Sequence, residues 1–257
     1  MKRYIIPFII AALLPAMAFA DKVQGTLTLT TPATKAFCIY DTEAKTATLG
    51  NGYNACINHY EDGVLYIPGT VRYNSETYHV VIGQFAFRMC NKFTKIIVQE
   101  GVEHIGDYGF VGCSAVTAID LPSTLITIGA GAFCNLTSLN TMQCRSATAP
   151  TWDWNDVFSV LGNKESMKDM ALQRSLIIPE NTTNSYLSYK FDGTSTAAHE
   201  SVGWSDAFAR IYEASSDPVE ISSPDEFKAF RDAVNAGTMT MLYSGRKYFV
   251  LTTGNPA

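Results

Sequence analysis

The chain is poor in charge and has no excess of basic residues. Of its 257 residues, 19 are Lys or Arg and 24 are Asp or Glu, which gives a net charge of −5. A protein that binds nucleic acid through its phosphates needs a basic surface, so the composition argues against that class. The surplus of acidic residues is compatible with a protein exported in soluble form.

Long apolar runs are missing from everything that follows the first twenty residues. The N-terminus begins with Lys2 and Arg3, continues through an apolar stretch to Leu14, and reaches the small-x-small sequence Ala18-Phe19-Ala20. The stretch is too short to span a bilayer, and the pattern is typical of a secretory signal peptide. We therefore predict an exported mature chain without a transmembrane segment, whose net charge falls from −5 to −7 because Lys2 and Arg3 leave with the leader.

Motifs for catalysis, cofactors and metals are also missing. The sequence has no Gly-x-Ser-x-Gly elbow and no Gly-rich phosphate loop, and its four histidines do not stand at metal-ligand spacing. Asp153 and Asp156 are close in sequence, but they lie in a polar loop, where such carboxylates are usually solvated. We predict a noncatalytic protein that carries no metal ion and no cofactor.

Six cysteines are present, at positions 38, 56, 90, 113, 134 and 144. Export permits disulfides, and the candidate pair is Cys38 with Cys56, which would tie the N-terminal segment together. Cys90 and Cys113 share a column of the repeat described next. We expect these two to serve as small buried apolar side chains.

What the sequence does contain is a repeat of 23 residues. Ile-Gly pairs start at Ile82, Ile105 and Ile128. Other columns keep the same period: Phe87, Phe110 and Phe133; Phe93, Val116 and Leu139; Ile96, Ile119 and Met142; Val98, Leu121 and Cys144. A period of about 20–29 residues with regularly spaced aliphatics is that of leucine-rich repeats. One coil cannot bury its apolar side alone, so we predict stacked coils in which each Gly permits close backbone approach and each Phe fills the coil.

The repeat unit resembles the BspA-like (TpLRR) leucine-rich repeat. The unit is Ile-Gly-x-x-Ala-Phe-x-x-Cys-x-x-Phe-x-x-Ile, with Ile119-Asp120-Leu121-Pro122-Ser123-Thr124-Leu125 in the middle copy. The similarity covers roughly residues 37–213, although Leu136 replaces the repeated cysteine and residues 146–175 leave the period. The resemblance implies an exported bacterial protein, and because such proteins resemble adhesins and host-contact proteins, it implies adhesion.

These observations predict a mostly β (α+β) fold. The expected parts are a signal peptide (1–20), an N-terminal β cap (21–60), a leucine-rich-repeat solenoid with an irregular insertion at 146–175 (61–214), and a small α+β tail (215–257). In detail we expect cap strands near 25–30, 37–40 and 46–49, a short helix at 205–214, a helix from Pro224 that ends at Gly237, and strands at 239–243 and 247–252.

The concave strand face is the default binding surface of a repeat array. Its outward positions are Lys95, Ile97, Gln99, Ala118, Asp120, Thr141 and Gln143. They are small, polar and weakly charged, which favours a protein or glycan ligand outside the cell over an anion site.

Trp152 and Trp154 lie two residues apart on the nonrepeating loop. They allow other interpretations of the function of the chain. They could form an aromatic platform for a sugar or a partner peptide, or pack beneath the edge of the solenoid. The first possibility makes the chain a carbohydrate-binding accessory protein of a glycan-uptake system. A third interpretation is a structural envelope component held by the C-terminal tail.

Overall fold

The computed structural model describes residues 22–152, 157–158, 173–188, 203–214, 219–221, 223–235 and 249–251. Some predictions fall outside these residues. They concern the signal peptide at 1–20, the candidate site residue Trp154, the carboxylates Asp153 and Asp156, and the strand at 239–243.

Strands dominate the described chain, as predicted. They are β1 (Lys22–Thr30), β2 (Ala33–Asp41), β3 (Thr46–Leu49), β4 (Gly63–Ile67), β5 (Thr70–Tyr73), β6 (Glu76–Ile82), β7 (Phe93–Val98), β8 (His104–Ile105), β9 (Ala118–Leu121), β10 (Thr127–Ile128), β11 (Thr141–Cys144), β12 (Thr151–Trp152), β13 (Ser175–Pro179), β14 (Arg210–Ala214), β15 (Val219–Ile221) and β16 (Phe249–Leu251). The helices are α1 (Thr183–Ser188), α2 (Trp204–Ala207) and α3 (Pro224–Asn235).

Two sheets contain most of these strands. One is six-stranded and parallel throughout, in the order β14-β13-β11-β9-β7-β4. The other has eight strands, in the order β1-β2-β3-β6-β8-β10-β12, with β5 paired to β6. From β6 to β12 the chain alternates between the two sheets, so each full turn adds one strand to each sheet.

The 23-residue period sets the register of the six-stranded sheet. Ile96 pairs with Ile119, and Ile119 pairs with Met142, so equivalent positions of successive units are neighbours. The side chains of all three are buried. Stacking therefore converts a repeated aliphatic position into a continuous core, as the sequence predicts.

A column of phenylalanine rings runs through this core. Phe87, Phe110, Phe133 and Phe158 stack with ring centroids 5.3, 5.7 and 5.3 Å apart. Phe158 then meets an aromatic cluster that includes Trp152, Trp204 and Phe208. The repeated Phe thus supplies one ring per coil, and its neighbours are the same residue type above and below.

Backbone also packs against backbone at the Ile-Gly steps. A Cβ placed on Gly106 would lie 2.8 Å from the Gln84 nitrogen and 2.8 Å from the Gly83 carbonyl carbon, closer than side-chain atoms approach in proteins. The Gly106 N–H also donates to the Ile82 carbonyl at 2.7 Å. The predicted need for close approach is confirmed here, since any side chain would push two coils apart.

The N-terminal strands cover the first coil. β1 and β2 form a long antiparallel hairpin, and β2 continues antiparallel to β3, in agreement with the strands predicted near 25–30, 37–40 and 46–49. The hairpin residues Leu27, Leu29 and Tyr40 are buried. The Tyr66 N–H donates to the carbonyl of Thr31, in the turn of the hairpin, at 2.9 Å. The hairpin therefore connects the edges of both sheets.

The disulfide predicted between Cys38 and Cys56 is absent from the structure. All six cysteines are buried free thiols. Burial is the main cause that raises the pKa of Cys38 and of Cys56 above that of an ordinary thiol. Both cysteines pack as small apolar side chains, the role that the repeat suggested only for Cys90 and Cys113.

The helix predicted at 205–214 is wrong over most of its length. Helix α2 ends at Ala207, and Arg210–Ala214 instead forms strand β14, in parallel register with β13. Phe208 is buried, as expected. Pairing with an existing sheet edge satisfies the backbone of this segment, which outweighs a weak helical pattern.

The tail contains the predicted helix. Helix α3 begins at Pro224, directly after Ser223, and strands β15 and β16 pair in parallel. Strand β16 falls inside the predicted range 247–252. Of the helices in the described part of the chain, none is long and apolar enough to cross a membrane.

Candidate functional site

The outward face of the six-stranded sheet, here called the strand face, carries two rows of side chains. Alternation along each strand sends every second residue outward. The first row, the Tyr–Ile row, consists of Tyr66, Ile97, Asp120, Gln143, Ile177 and Tyr212. The second, the flanking row, consists of Val64, Lys95, Ala118, Thr141, Ser175 and Arg210. Within each row, neighbours are register partners on adjacent strands.

The structure brings together most of the residues singled out from the sequence. Ile97, Asp120 and Gln143 are consecutive members of the Tyr–Ile row, and Lys95 and Thr141 belong to the flanking row. Gln99 is exposed and follows the last residue of β7. Their shared face is an observation, whereas their role in binding stays a prediction.

Trp152 does not belong to an exposed platform. Its side chain is 3% exposed, and it packs against Phe158 and Trp204 with ring centroids 5.5 and 5.1 Å away. The interpretation of Trp152 as a sugar-stacking residue is therefore wrong. The ring is part of the aromatic cluster at the end of the phenylalanine column, because a large apolar side chain gains more from burial than from exposure.

Arg145 organises the charged groups at one edge of the strand face. Its guanidinium donates to both carboxylate oxygens of Asp120, at 3.1 and 2.7 Å, in bidentate geometry. It also donates to Glu100 at 3.1 Å. The Asp120 side chain is only 16% exposed. Arg145 therefore covers and neutralises most of this carboxylate, which the sequence analysis had named as a binding group.

Glu100 is held from a second side as well. The backbone N–H of Ser123 and the Ser123 hydroxyl both donate to its carboxylate, at 3.0 and 2.7 Å. Burial acts to raise the pKa of Glu100, but these hydrogen bonds and the charge of Arg145 outweigh it and hold the pKa below its ordinary value. Glu100 is thus ionised and already satisfied within the protein.

Two cations on the same face are placed differently. Lys95 and Arg210 are both exposed members of the flanking row. Within the part of the chain that the structure describes, neither forms an ion pair. In the part of the chain that the structure describes, the strand face therefore combines a paired carboxylate, Asp120, with two exposed cations that form no ion pair.

Sequence reasoning missed several residues of this surface: Val64, Tyr66, Arg145, Ser175, Ile177, Arg210 and Tyr212. Tyr66 and Ile177 alternate with buried neighbours in β4 and β13, so extending the outward pattern one strand in each direction would have found them. Tyr212 was assigned to a helix, which hid its position. Arg145 follows β11, and no pattern in the sequence signals its pairing with Asp120, 25 residues away.

Among the described residues, no group of three or more His, Cys, Asp or Glu side chains is arranged to hold a metal ion.

The parallel sheets with a 23-residue register define a leucine-rich-repeat protein. Residues 74–152 match a family described as the BspA type leucine-rich repeat region, in six copies. Over these residues the match confirms the resemblance seen in the sequence.

Two solved structures are similar to the chain. A leucine-rich repeat protein from Bacteroides capillosus is 26% identical, with 48% of this chain and 87% of that chain covered and a TM-score of 0.41. A leucine rich cell surface protein from Faecalibacterium prausnitzii is 17% identical, with 58% of this chain and 44% of that chain covered and a TM-score of 0.34. This chain thus spans less than half of the latter protein. No curated protein matches the chain.

Proposed function

We propose that this chain is a noncatalytic recognition protein, displayed at the cell surface or released from it, which binds a protein partner through the strand face. The observation that carries the proposal is the Tyr–Ile row. Four of its six members are tyrosine or isoleucine, and all six are partly exposed on one continuous sheet.

The Tyr–Ile row has the dimensions of a protein contact. Adjacent strands lie about 4.8 Å apart, so six strands place Tyr66 and Tyr212 about 24 Å from each other. Aromatic and aliphatic side chains with few unpaired charges are typical of the centre of an interface, and tyrosines are frequent among the residues that contribute most to affinity. The parallel sheet holds the row rigidly, which lowers the entropy lost on binding.

Export and adhesion enter the proposal from the sequence. The N-terminal pattern is typical of a signal peptide and supports export, and the resemblance of the sequence to BspA-like proteins supports contact with host or neighbouring cells. The fold alone does not specify a partner, because one fold supports many functions. The residues of the strand face therefore carry the argument for recognition.

Surface location is tested with a protease that cannot enter intact cells. We expect the protein to be degraded on intact cells, while a periplasmic marker survives. Protection of the protein until the envelope is opened would contradict surface display.

Binding is tested by comparing two variants that place the same charge on opposite sheets. Ile97→Asp inserts a carboxylate into the Tyr–Ile row, whereas Val81→Asp inserts one at a partly exposed aliphatic of β6 in the eight-stranded sheet. Proteins recovered with each purified variant are quantified against wild type. A specific partner should be lost with Ile97→Asp and kept with Val81→Asp; equal recovery with both variants would refute binding through the strand face.

A further inference from the structure

Two acidic groups on and beside the strand face already form hydrogen bonds within the protein. Asp120 shares a bidentate contact with Arg145, and Glu100 accepts hydrogen bonds from Ser123 and Arg145. A carboxylate that is satisfied in this way presents little free negative charge to a ligand. The chain has a net charge of −5, yet the one acidic member of the two rows, Asp120, is paired with Arg145.

The two cations of the flanking row stand at a defined separation. Lys95 on β7 and Arg210 on β14 occupy the same row, separated by four strand-to-strand steps. At about 4.8 Å for each step, their backbones are about 19 Å apart. The residues between them are Ala118, Thr141 and Ser175, which are small and uncharged. Among the described residues of the row, no charged or bulky side chain therefore lies between the two cations.

From this arrangement, and resting on the proposed function, we infer that the strand face binds an acidic segment of a partner protein. Carboxylates of the segment pair with Lys95 and Arg210, while its apolar side chains cover the Tyr–Ile row. Charge complementarity directs the partner to this face of an otherwise acidic protein and fixes its position along the row.

The Tyr–Ile row favours a protein over an anionic glycan. Ile97 and Ile177 offer branched aliphatic surface, whose burial is favourable against apolar side chains. A saccharide would lay hydroxyl groups against these isoleucines, and polar groups that lose water without gaining hydrogen bonds weaken binding. The cations alone would accept either ligand, so the aliphatic positions decide between the two.

The test uses a random peptide library displayed on phage and selected on the purified protein. Two charge-reversed variants of the whole chain carry the comparison. The test variant is Lys95→Glu with Arg210→Glu. The matched control is Lys22→Glu with Lys35→Glu, which has the same net charge but alters exposed residues of β1 and β2. Ile97→Asp reports separately whether a selected peptide uses the strand face at all.

We expect the selected peptides to be rich in Asp and Glu together with aromatic or aliphatic residues. Their affinity should fall roughly tenfold in the Lys95→Glu, Arg210→Glu variant, stay unchanged in the control, and weaken as salt is raised. Lys95→Gln with Arg210→Gln should give a smaller loss in the same direction. Circular dichroism of each variant checks that it is folded.

The other outcomes separate the two proposals. Peptides that lose binding with Ile97→Asp but are not acidic, or that ignore the charge reversal, would overturn the acidic partner and leave recognition by the strand face intact. Selected peptides that bind the Ile97→Asp variant as tightly as wild type would count against both proposals. A failure to select any peptide would do the same. Binding of acidic oligosaccharides on a glycan array that depends on Lys95 and Arg210, without peptide binding, would overturn the protein partner.

Discussion

Phe110 lies between two rings of its own kind, and this position defines what a repeated residue contributes. Its centroid is 5.3 Å from that of Phe87 and 5.7 Å from that of Phe133, with the ring planes nearly parallel. The side chain is fully buried. Each ring therefore fills its own coil and also packs against the rings of the coils on either side.

Replacing Phe110 by Ala should lower the free energy of unfolding by about 3–5 kcal/mol, because it removes buried ring area and leaves a cavity between two rigid neighbours. Urea denaturation of the purified variant measures the change. Tyr53→Ala is the control, since Tyr53 is 77% exposed and its loss should change stability by less than about 0.5 kcal/mol. Similar values for the two variants would contradict the assigned role of the ring column.

Position 106 has no room for a side chain, because the Cα of Gly106 faces the backbone of the preceding coil. Gly106→Ala should destabilise the protein by about 1–3 kcal/mol, since backbone atoms cannot rotate away from an added methyl group. Gly63→Asn is the comparison: Gly63 has a φ of +82° but nothing within 4 Å of an added Cβ, and Asn tolerates that conformation. The two changes in melting temperature should differ clearly; an equal shift would show that packing at Gly106 is not limiting.

The positions of side chains within the repeat could be predicted from the sequence, whereas those outside it were harder to predict. The period placed Lys95, Ile97, Asp120, Thr141 and Gln143 on one face because alternation is a local property of a strand. The burial of Trp152 depends instead on packing against Trp204, which is far away in sequence. Local patterns carry no information about such partners.

At the scale of elements, helix α1 shows how neighbouring parts of the chain stabilise each other. The carboxylate of Glu213 on β14 accepts hydrogen bonds from the Thr183 hydroxyl and the Thr183 N–H, the latter at 3.0 Å. Thr183 is the first residue of α1, so Glu213 caps a helix from another element. These bonds, with others from the backbone of residues 181 and 182, hold the pKa of Glu213 below its ordinary value.

Glu213→Gln should lower stability at neutral pH by about 1 kcal/mol, the typical contribution of a helix cap. Because the folded-state pKa is lowered, the carboxylate stabilises the protein above its ordinary pKa of 4.5, and this contribution disappears as the pH falls through the folded-state value. The variant should therefore lose less stability than wild type on acidification below pH 4.5. Glu180→Gln, at an exposed carboxylate of the same region, serves as the control in the thermal melts, and an identical acid dependence of wild type and Glu213→Gln would exclude the cap.

The elements themselves were partly predictable. Strands β7, β9 and β11 and the Pro224 helix follow from periodicity and capping signals. Strand β14 does not, because Arg210–Ala214 becomes extended only by pairing with β13. Phe85 and Tyr108 adopt left-handed backbone, with φ of 56° and 54°, where sequence rules expect Gly or Asn. Their stacked rings, 5.3 Å apart, accompany this conformation.

At the scale of the whole molecule, the two sheets present different surfaces. The strand face carries tyrosines, isoleucines and the cations Lys95 and Arg210, whereas the parallel part of the eight-stranded sheet presents His104, Thr127 and Thr151 in one row. His104 and Thr127 also satisfy each other, with Nδ1 and Oγ1 2.8 Å apart. This difference between the two surfaces favours recognition through the strand face and not through the eight-stranded sheet.

The most direct measurement of that claim is photo-crosslinking on living cells that produce the protein. A photoreactive phenylalanine analogue replaces Gln143 on the strand face in one variant and Thr127 on the opposite sheet in another. We predict a discrete, protease-sensitive adduct from position 143 that disappears when Ile97→Asp is added, and no comparable adduct from position 127. Equal adducts from both positions, or an adduct from position 127 alone, would contradict recognition through the strand face.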